Sequence, residues 1–365
     1  MEHNSYKEQG KDFVLLLSVE RLTETRLFAL LEKFQTPGAI LNAPFKELTK
    51  CVDEETAKRI TELNVDDSIK RKWELMEKYD ISVIPYYSEE YPHWLKNMEH
   101  FPPVLFVRGK ILPEDEIAIG VIGTRGATVY GKTIAEDFAG EFARAGVCVV
   151  SGMARGIDTC AHLGALKNNG RTIAVLGCGV DIVYPPENRS LLNEIVKNGA
   201  VVSEFNIQTP PLAQNFPKRN RIIAGLSRAI VAIEAKEKSG VMNTVQWAVQ
   251  QGKEIFAIPG NILSKTSAGT NRLIKEGAIP VTSAEEVLDY LGVKFIKKER
   301  RLKEIILNES EKRIWEGLSL EPVYIDELKE KLDMPTAEIL KILLGLEIKG
   351  YVKQLPGMMF VKNFE

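Results

Sequence analysis

A basic segment in the middle of the chain carries the strongest chemical signal. Residues 215–228 read NFPKRNRIIAGLSR, and the sequence has no Asp or Glu from Phe205 to Ile233. The cations of this segment are Lys218, Arg219, Arg221 and Arg228. Cations beside the aromatic Phe216 are typical of single-stranded nucleic-acid sites, where cations meet phosphates and the ring stacks on a base. Because cations at a helix start oppose the helix dipole, we expect an anionic partner rather than a core Phe216 beside solvated cations.

Glycines gather after several apolar runs, where a strand would end and a helix begin. Glycine lets backbone N–H groups approach an anion closely, and one sheet edge with several such loops indicates an anion site. These glycines are Gly120, Gly123, Gly126 and Gly131 in the first loop, Gly152 and Gly156 in the second, Gly177 and Gly179 in the third, and Gly260 in a fourth. The first loop lacks the G-x-G-x-x-G fingerprint, which argues against a dinucleotide dehydrogenase.

The first glycine loop also contains a string that resembles an ATPase motif. Gly126–Thr133 reads GATVYGKT and matches the pattern G-x-x-x-x-G-K-[ST], so a P-loop-like NTPase is one alternative. The body of the loop is bulky, and no apolar run ending in Asp supplies a metal-holding partner. Thr128 is expected to cap the helix, which would place Lys132 inside it. We favour a non-catalytic site, with a nucleotide-binding sensor on the same sheet edge as a further alternative.

The elements that must position these loops alternate between short apolar runs and helix-like stretches. The runs are nearly continuous, as expected for parallel strands covered on both faces, and the alternation predicts a doubly wound α/β sheet. Strands are predicted at Ile117–Ile122, Val147–Val150, Thr172–Leu176, Ala200–Ser203, Ala229–Ile233 and Glu254–Ile258. Ligands of such sheets lie outside the carboxyl ends of the strands, where the glycine loops fall.

Length and pattern divide the chain into regions. At about 150 residues per domain, 365 residues with 44% hydrophobic content predict two or three domains. Helical spacing of apolar residues across 11–80 predicts an N-terminal helical module. Helices at 310–317, 325–332 and 335–349, followed by a hairpin at 351–361, predict a C-terminal winged helix. The predicted boundaries are 1–85 for the helical domain, 86–293 for the sheet domain, 294–304 for a charged linker and 305–365 for the winged helix.

Charge is unevenly distributed along the chain. The formal net charge of −2, from 48 Lys and Arg against 50 Asp and Glu, by itself speaks against a strongly basic nucleic-acid binder. Residues 117–233, however, contain 12 Lys and Arg against 8 Asp and Glu, a net charge of +4, whereas the rest of the chain carries −6. The predicted binding region is therefore basic between acidic flanks.

No set of residues indicates catalysis, a cofactor or a metal site. The four histidines and four cysteines show neither HExxH nor CxxC spacing. His162 follows Asp158 at helical spacing, which predicts a hydrogen-bonded structural pair, and Glu204 and Glu234 are interpreted as structural residues at strand ends. Scattered cysteines, a polar N-terminus and apolar stretches too short to cross a membrane predict a cytoplasmic protein.

Taken together, these segments resemble the DNA-processing protein A (DprA/Smf) family of bacteria over nearly the whole chain. The matching motifs are GTRGATVYG at 123–131, SGMARGIDTCAH at 151–162, AVLGCGVDIVYPPENRSL at 174–191, FPKRNRIIAGLS at 216–227, IPGN at 258–261 and GTNRLIKEGA at 269–278. The resemblance implies an extended Rossmann-like domain with a mostly parallel sheet, an N-terminal helical (SAM-like) domain and a C-terminal winged-helix domain. It also implies a homodimer that protects incoming single-stranded DNA during natural transformation and helps to load the RecA recombinase, without catalysis.

The resemblance further implies which residues bind DNA. Arg125 in the first glycine loop and Lys218 would contact phosphates, with Arg189 at the edge of the pocket. The other candidates from the matched motifs are Phe216, Arg219, Asn220 and Arg221 in the basic segment, and Gly123, Thr124, Ser151 and Gly152 for backbone or hydroxyl contacts.

The winged helix is not expected to read duplex DNA. Residues 300–365 contain 11 Lys and Arg against 12 Asp and Glu, and the candidate recognition helix at 335–350 is mostly apolar. A duplex reader presents basic residues to phosphates, so we predict a protein-contact or packing role for this module. For a dimer the sequence offers only Leu273 and Ile274, which could be core or interface residues.

Overall fold

The structure is a computed structural model that describes residues 2–293, 307–319, 322–355 and 357–362. The described chain divides into two compact units. One consists of residues 2–126 with 135–293, and the other of residues 127–134 with those from 307 onward. The predicted linker at 294–304 lies outside the described residues.

Helices form the N-terminal part of the first unit, as the spacing across 11–80 predicts. Their bounds are α1 (Glu2–Leu16), α2 (Glu24–Phe34), α3 (Pro37–Leu41), α4 (Phe45–Leu48), α5 (Glu54–Thr61) and α6 (Asp67–Lys78). The Thr23 side chain accepts the N–H of Arg26 and so caps the start of α2. The apolar faces of these helices bury a core that includes Phe13 and Leu30 and extends to Val104 in the neighbouring sheet.

A sheet of nine described strands forms the centre of this unit. The strands are β1 (Ser82–Pro85), β2 (Val104–Gly109), β3 (Ala118–Ile122), β4 (Cys148–Ser151), β5 (Thr172–Val175), β6 (Gly199–Ser203), β7 (Ala229–Ala232), β8 (Glu254–Ala257) and β9 (Ile279–Pro280). Their order is β1-β2-β6-β5-β4-β3-β7-β8-β9. The pairs β1–β2 and β2–β6 are antiparallel and the others are parallel. From β3 the chain adds β4, β5 and β6 on one side and then β7, β8 and β9 on the other. The strand order therefore reverses between β3 and β7.

Helices cover both faces of the sheet. Their bounds are α7 (Val129–Arg144), α8 (Ile157–Lys167), α9 (Arg189–Asn198), α10 (Asn215–Leu226), α11 (Gly240–Gln250), α12 (Ala268–Lys275) and α13 (Ala284–Tyr290), with 3-10 turns at His93–Asn97, Pro113–Glu116 and Pro186–Asn188. Side chains of β5 alternate between two apolar clusters: Ile173 packs with residues of α10 and α11, and Ala174 with residues of α9. This alternation confirms a doubly wound, mostly parallel sheet.

The six predicted strands correspond to β3–β8, and sequence reasoning missed β1, β2 and β9. The strand β2 reads VLFVRG and is almost wholly buried, so its apolar run was the signal that could have revealed it. Because β1 pairs with β2, residues 82–85 belong to the central sheet, although the predicted domain boundary at 85/86 falls after them. Leu273 is a buried core residue and Ile274 packs partly against the same core.

The second unit contains a winged helix, as predicted. Its elements are α14 (Glu309–Gly317), β10 (Val323–Tyr324), α15 (Ile325–Leu332), α16 (Thr336–Ile348), β11 (Val352–Leu355) and β12 (Met359–Lys362). The three strands are ordered β10-β12-β11, and β11 and β12 form the predicted hairpin. Ile314, Leu328 and Leu343 are fully buried between the helices. Across both units, no described helix combines the length and the apolar character that crossing a membrane requires.

Candidate nucleic-acid interface

The carboxyl ends of β3 and β4 bring two of the predicted loops together. The strands are parallel neighbours, so Gly123–Arg125 after β3 and Gly152 after β4 share one edge of the sheet. The start of α10 reaches the same edge, because Arg219 donates a hydrogen bond to the carbonyl oxygen of Gly152 over 2.8 Å. This is the edge beside which the strand order reverses.

A shallow pocket, called here the Phe216 pocket, opens at this edge. It encloses about 310 Å³ of space that is partly open to solvent. Its lining residues are Arg125, Gly152, Ala154, Arg155, Tyr184, Pro185 and Phe216. Three of these, Arg125, Gly152 and Phe216, were predicted from the sequence. The pocket therefore combines aromatic surface with two guanidinium groups at the rim.

The ring of Phe216 is held between an aromatic neighbour and two guanidinium groups. The guanidinium carbons of Arg125 and Arg219 lie 5.5 Å and 5.9 Å from the ring centroid, and the Tyr184 ring lies 5.5 Å away. A Cβ atom at Gly177 would approach the ring to 2.9 Å, so a glycine is needed there to make room for it. Phe216 is only partly buried, so it is neither a core residue nor a free surface side chain.

Arg219 lies inside the protein rather than at the surface. Its residue is 4% exposed, and its guanidinium donates to the carbonyl oxygens of Gly152 and Val175. Burial lowers the pKa of Arg219 to about 10, although the charge of Asp158 opposes the shift. Burial raises the pKa of Asp158 to about 6, with Arg219 again opposing it. The guanidinium thus ties α10 to the ends of β4 and β5 and has almost no contact with solvent.

Arg221 and Lys218 join two carboxylates in what we call the ionic cluster. Arg221 donates two hydrogen bonds to Glu204, at 2.6 Å and 2.8 Å, and one to Glu24, at 3.0 Å. The Lys218 ammonium lies 2.7 Å from Glu24 and 3.0 Å from Glu204. Burial raises the pKa of Glu204. Burial also acts to raise the pKa of Glu24, but the hydrogen bond with Glu204 and the two cations outweigh it and lower that pKa.

The ionic cluster corrects one sequence argument. Cations at the start of α10 were expected to need an external anion, because the segment itself has no acid. Glu204, at the end of β6, and Glu24, in the first turn of α2, supply the counter-charge internally. The Arg221 side chain is 3% exposed and is paired with both carboxylates, whereas that of Lys218 is 46% exposed and can still meet solvent. The DNA-binding role of Arg221 stays a prediction.

The remaining predicted residues serve mainly to shape this edge. Ser151 is fully buried and donates to the Val121 carbonyl oxygen over 2.7 Å, so its hydroxyl faces inward. Asn220 is buried and donates to Asn243 over 3.1 Å.

The loop after β3 packs tightly against neighbouring elements. A Cβ atom at Gly123 would lie 2.3 Å from Ile157, so the glycine allows α8 to approach the loop. The N–H of Thr124 donates to the Glu234 carbonyl oxygen over 2.8 Å, which fixes the loop against β7. Arg125 is exposed, as is Arg189 at the start of α9.

His162 and Asp158 do not form the predicted pair. The Nδ1 atom of His162 lies 2.7 Å from the Thr172 hydroxyl, and burial lowers the pKa of His162 to about 3. Asp158 instead accepts the Ala154 N–H over 3.3 Å and faces Arg219. Helical spacing placed the two residues on one helix face, but each found a nearer partner on another element.

Arg155 and Tyr184 are pocket residues that sequence reasoning missed. Arg155 is exposed and forms an ion pair with Glu187. A cation in a glycine-rich loop directly after β4 was the signal that could have identified Arg155. Tyr184 stood in a quoted motif, but nothing in its spacing indicated that its ring would meet Phe216.

The ATPase-like string lies at the start of α7. The Thr128 hydroxyl accepts the N–H of Gly131 over 3.0 Å, which confirms the predicted capping role. The N–H of Lys132 donates to the Thr128 carbonyl oxygen over 3.0 Å, so Lys132 lies within the first turn of the helix.

Comparison with known proteins decides the family. A family model described as DNA recombination-mediator protein A matches residues 82–292, and a model of the DprA winged helix domain matches residues 299–358. The chain belongs to the DNA recombination-mediator protein A family. It is 37% identical to Protein Smf of Escherichia coli strain K12, with 77% of this chain and 78% of that protein covered. It is 40% identical to the DNA processing protein DprA of Bacillus subtilis strain 168, over 58% of this chain and 71% of that protein.

Solved structures of the family share the fold. The X-ray structure of DNA processing protein A from Streptococcus pneumoniae matches with a TM-score of 0.67 and 32% identity, over 79% of this chain and 98% of that one. A Helicobacter pylori relative, whose structure is described as showing a single-stranded DNA binding mode, matches with a TM-score of 0.54 and 29% identity, over 60% of this chain and 98% of that one. Family membership places this chain among DNA-processing proteins.

Proposed function

We propose that this protein binds single-stranded DNA at the Phe216 pocket and acts as a recombination mediator without catalysing a reaction. The observation that carries the proposal is the partly exposed Phe216 ring with the exposed Arg125 guanidinium 5.5 Å from its centroid. An aromatic face stacks on a base of any identity, and an adjacent arginine binds the phosphate that follows it. The single-stranded DNA binding mode described for the Helicobacter pylori relative supports this assignment.

The surroundings of the pocket favour a single strand over a duplex. A base can reach the Phe216 ring only if it is unstacked from its neighbours, which a single strand allows at little cost. The pocket lies at the start of α10, a helix of 12 residues whose dipole adds positive potential at that end. Buried Arg219 contributes a fixed positive charge beneath the ring.

The test compares a fluorescently labelled oligothymidylate with a duplex of equal length over a salt series. We expect tighter binding of the single strand, and a log–log salt slope that falls by about 0.7 in Arg125→Ala, the loss of one phosphate contact. Arg228→Ala is the matched control, because Arg228 is an exposed cation of the same segment that lies beyond the carboxyl end of α10 and directly precedes β7. Equal slopes in the two variants would contradict the site assignment, and equal affinity for the duplex would contradict the strand preference.

The proposal extends to the partners that the family resemblance implies. We propose that the protein assembles as a homodimer in the cytoplasm and loads RecA recombinase onto the strand that it protects. Sedimentation at micromolar concentration tests the dimer, and a monomer alone would refute it. RecA strand exchange on DNA coated with a single-strand-binding protein tests loading. Addition of the wild-type protein should shorten the lag before strand exchange, and addition of the Phe216→Ala variant should not.

The ATPase alternative has a direct experimental test. Magnesium-dependent ATP hydrolysis is expected to stay at background in the wild type, because Lys132 lies within a capped helix turn. Among the described residues, no group of three or more His, Cys, Asp and Glu side chains could hold a metal ion. Hydrolysis that is abolished by Lys132→Ala would overturn the non-catalytic assignment. Tight binding of a mononucleotide without binding of the oligothymidylate would instead support a nucleotide sensor.

A further inference from the structure

The N-terminal helices contact the basic segment through the side chain of Glu24. Glu24 is the first residue of α2, and the Thr23 cap fixes the start of that helix. Its carboxylate lies 2.7 Å from the Lys218 ammonium and 3.0 Å from the Arg221 guanidinium. Lys218, which the family resemblance assigns to a DNA phosphate, is therefore already in contact with an internal anion.

The two carboxylates of the ionic cluster are not equivalent. The Glu204 side chain is 4% exposed and accepts two hydrogen bonds from Arg221, so its departure would leave the buried guanidinium with Glu24 as its remaining carboxylate partner in this cluster. The Glu24 side chain is 29% exposed. If Glu24 moves away, Arg221 keeps both hydrogen bonds to Glu204. Glu24 is therefore the anion that another anion can replace.

Lys218 has the complementary property. Its side chain is 46% exposed, and its ammonium lies 5.5 Å from the centroid of the Phe205 ring. The Phe205 ring and Glu204 would keep the ammonium in place when Glu24 leaves. Tyr91 also faces this cluster, but its hydroxyl donates to the Pro102 carbonyl oxygen over 2.7 Å and does not compete for Lys218.

We infer that Glu24 is a built-in competitor that occupies Lys218 until a DNA phosphate takes its place. This inference rests on the proposed single-stranded DNA function. A phosphate offers the same charge and the same acceptor oxygens as the carboxylate. With Glu24 in place, its carboxylate offsets part of the positive charge of Lys218 and Arg221, and its removal leaves more positive charge at the solvent-facing side. The helical module thereby sets the affinity of the sheet domain for DNA, through a side-chain rotation that leaves its apolar core intact.

The test is the affinity of Glu24→Gln for a labelled oligothymidylate, measured by fluorescence anisotropy. Glutamine removes the charge but keeps an acceptor oxygen for Arg221. We expect binding about three- to fivefold tighter than in the wild type, the size of one half-exposed ion pair. Glu32→Gln is the matched control, because Glu32 is exposed on the same helix and its replacement changes the net charge equally. Its affinity should match the wild type.

A second pair of variants isolates Lys218. In a Lys218→Met background, which should bind more weakly than the wild type, Glu24→Gln should give no gain. Glu24→Asp keeps the charge but shortens the side chain, and we expect an intermediate gain. Thermal unfolding of each variant shows that the fold is retained, and the aspartate variant supplies the answer if the glutamine variant does not fold.

The outcomes separate this inference from the proposed function. Wild-type binding with no gain in Glu24→Gln, an equal gain in Glu32→Gln, or a gain that persists in the Lys218→Met background would each overturn the competitor role and leave single-strand binding standing. A wild-type protein that does not bind the oligothymidylate would refute the proposed function itself.

Discussion

The Phe216 pocket and the ionic cluster both include residues of α10, yet the cations of the two regions have different partners. In the ionic cluster two carboxylates from other elements pair with Arg221 and Lys218. At the pocket, exposed Arg125 meets the Phe216 ring. Successive residues of a helix point about 100° apart, so one basic run presents its cations to different surroundings. A run of cations is therefore not one binding surface, because each side chain takes the role that its nearest partners allow.

The largest difference between the regions should appear in stability. Arg221→Met removes one partner of a buried pair, and we expect the free energy of unfolding to fall by about 3–5 kcal/mol because Glu204 would keep a buried, poorly compensated charge. Lys218→Met removes a half-exposed partner and should cost only about 0–1 kcal/mol. Urea unfolding of both variants measures the contrast. Equal stability in the two variants would show that Arg221 is not a structural residue.

At the pocket the effect should fall on binding instead. Phe216→Ala should weaken oligothymidylate binding by about 1–3 kcal/mol through loss of a stacked base, with a much smaller change in unfolding. Phe216→Leu keeps apolar bulk under the pocket but has no aromatic face, so it should bind as weakly as the alanine variant. Wild-type affinity in the leucine variant would mean that Phe216 contributes packing rather than stacking. Fluorescence anisotropy at fixed salt measures both.

The third expected effect is a pH dependence from Asp158, which lies beneath the pocket beside Arg219. Burial raises its pKa from 3.8 to about 6 in the folded protein. The folded state therefore binds the proton more tightly than the unfolded chain, and this contribution to stability is present below the unfolded value and is lost as the pH rises through about 6. Asp158→Asn should flatten the stability curve across that window. Urea unfolding at several pH values checks the slope, and an unchanged slope would contradict the buried-acid assignment.

Local pattern was sufficient for most of the secondary structure. Continuous apolar runs identified β3 to β8, and the helix and hairpin spacing identified the winged helix, because such patterns depend on residues within a few positions of one another. The strand β2 was missed although its run is apolar, and β1 and β9 were missed because they are short and pair at the margins of the sheet. Part of the pocket could also be predicted from the sequence, because Arg125, Gly152 and Phe216 lie in glycine-rich or basic motifs beside strand ends.

The sequence alone determined the family motifs, the alternating strands and helices, and the basic character of residues 117–233. Only the tertiary structure decided which cations remain for an external anion. Glu24 and Arg221 are 197 positions apart, and no local pattern predicts that the first residue of α2 meets the start of α10. Burial and pairing depend on distance through space and on exclusion of water, so Arg219 and Arg221 became internal while Arg125 and Lys218 kept contact with solvent. The physical reason is that a charge inside a protein is retained only where a counter-charge and hydrogen-bond acceptors surround it.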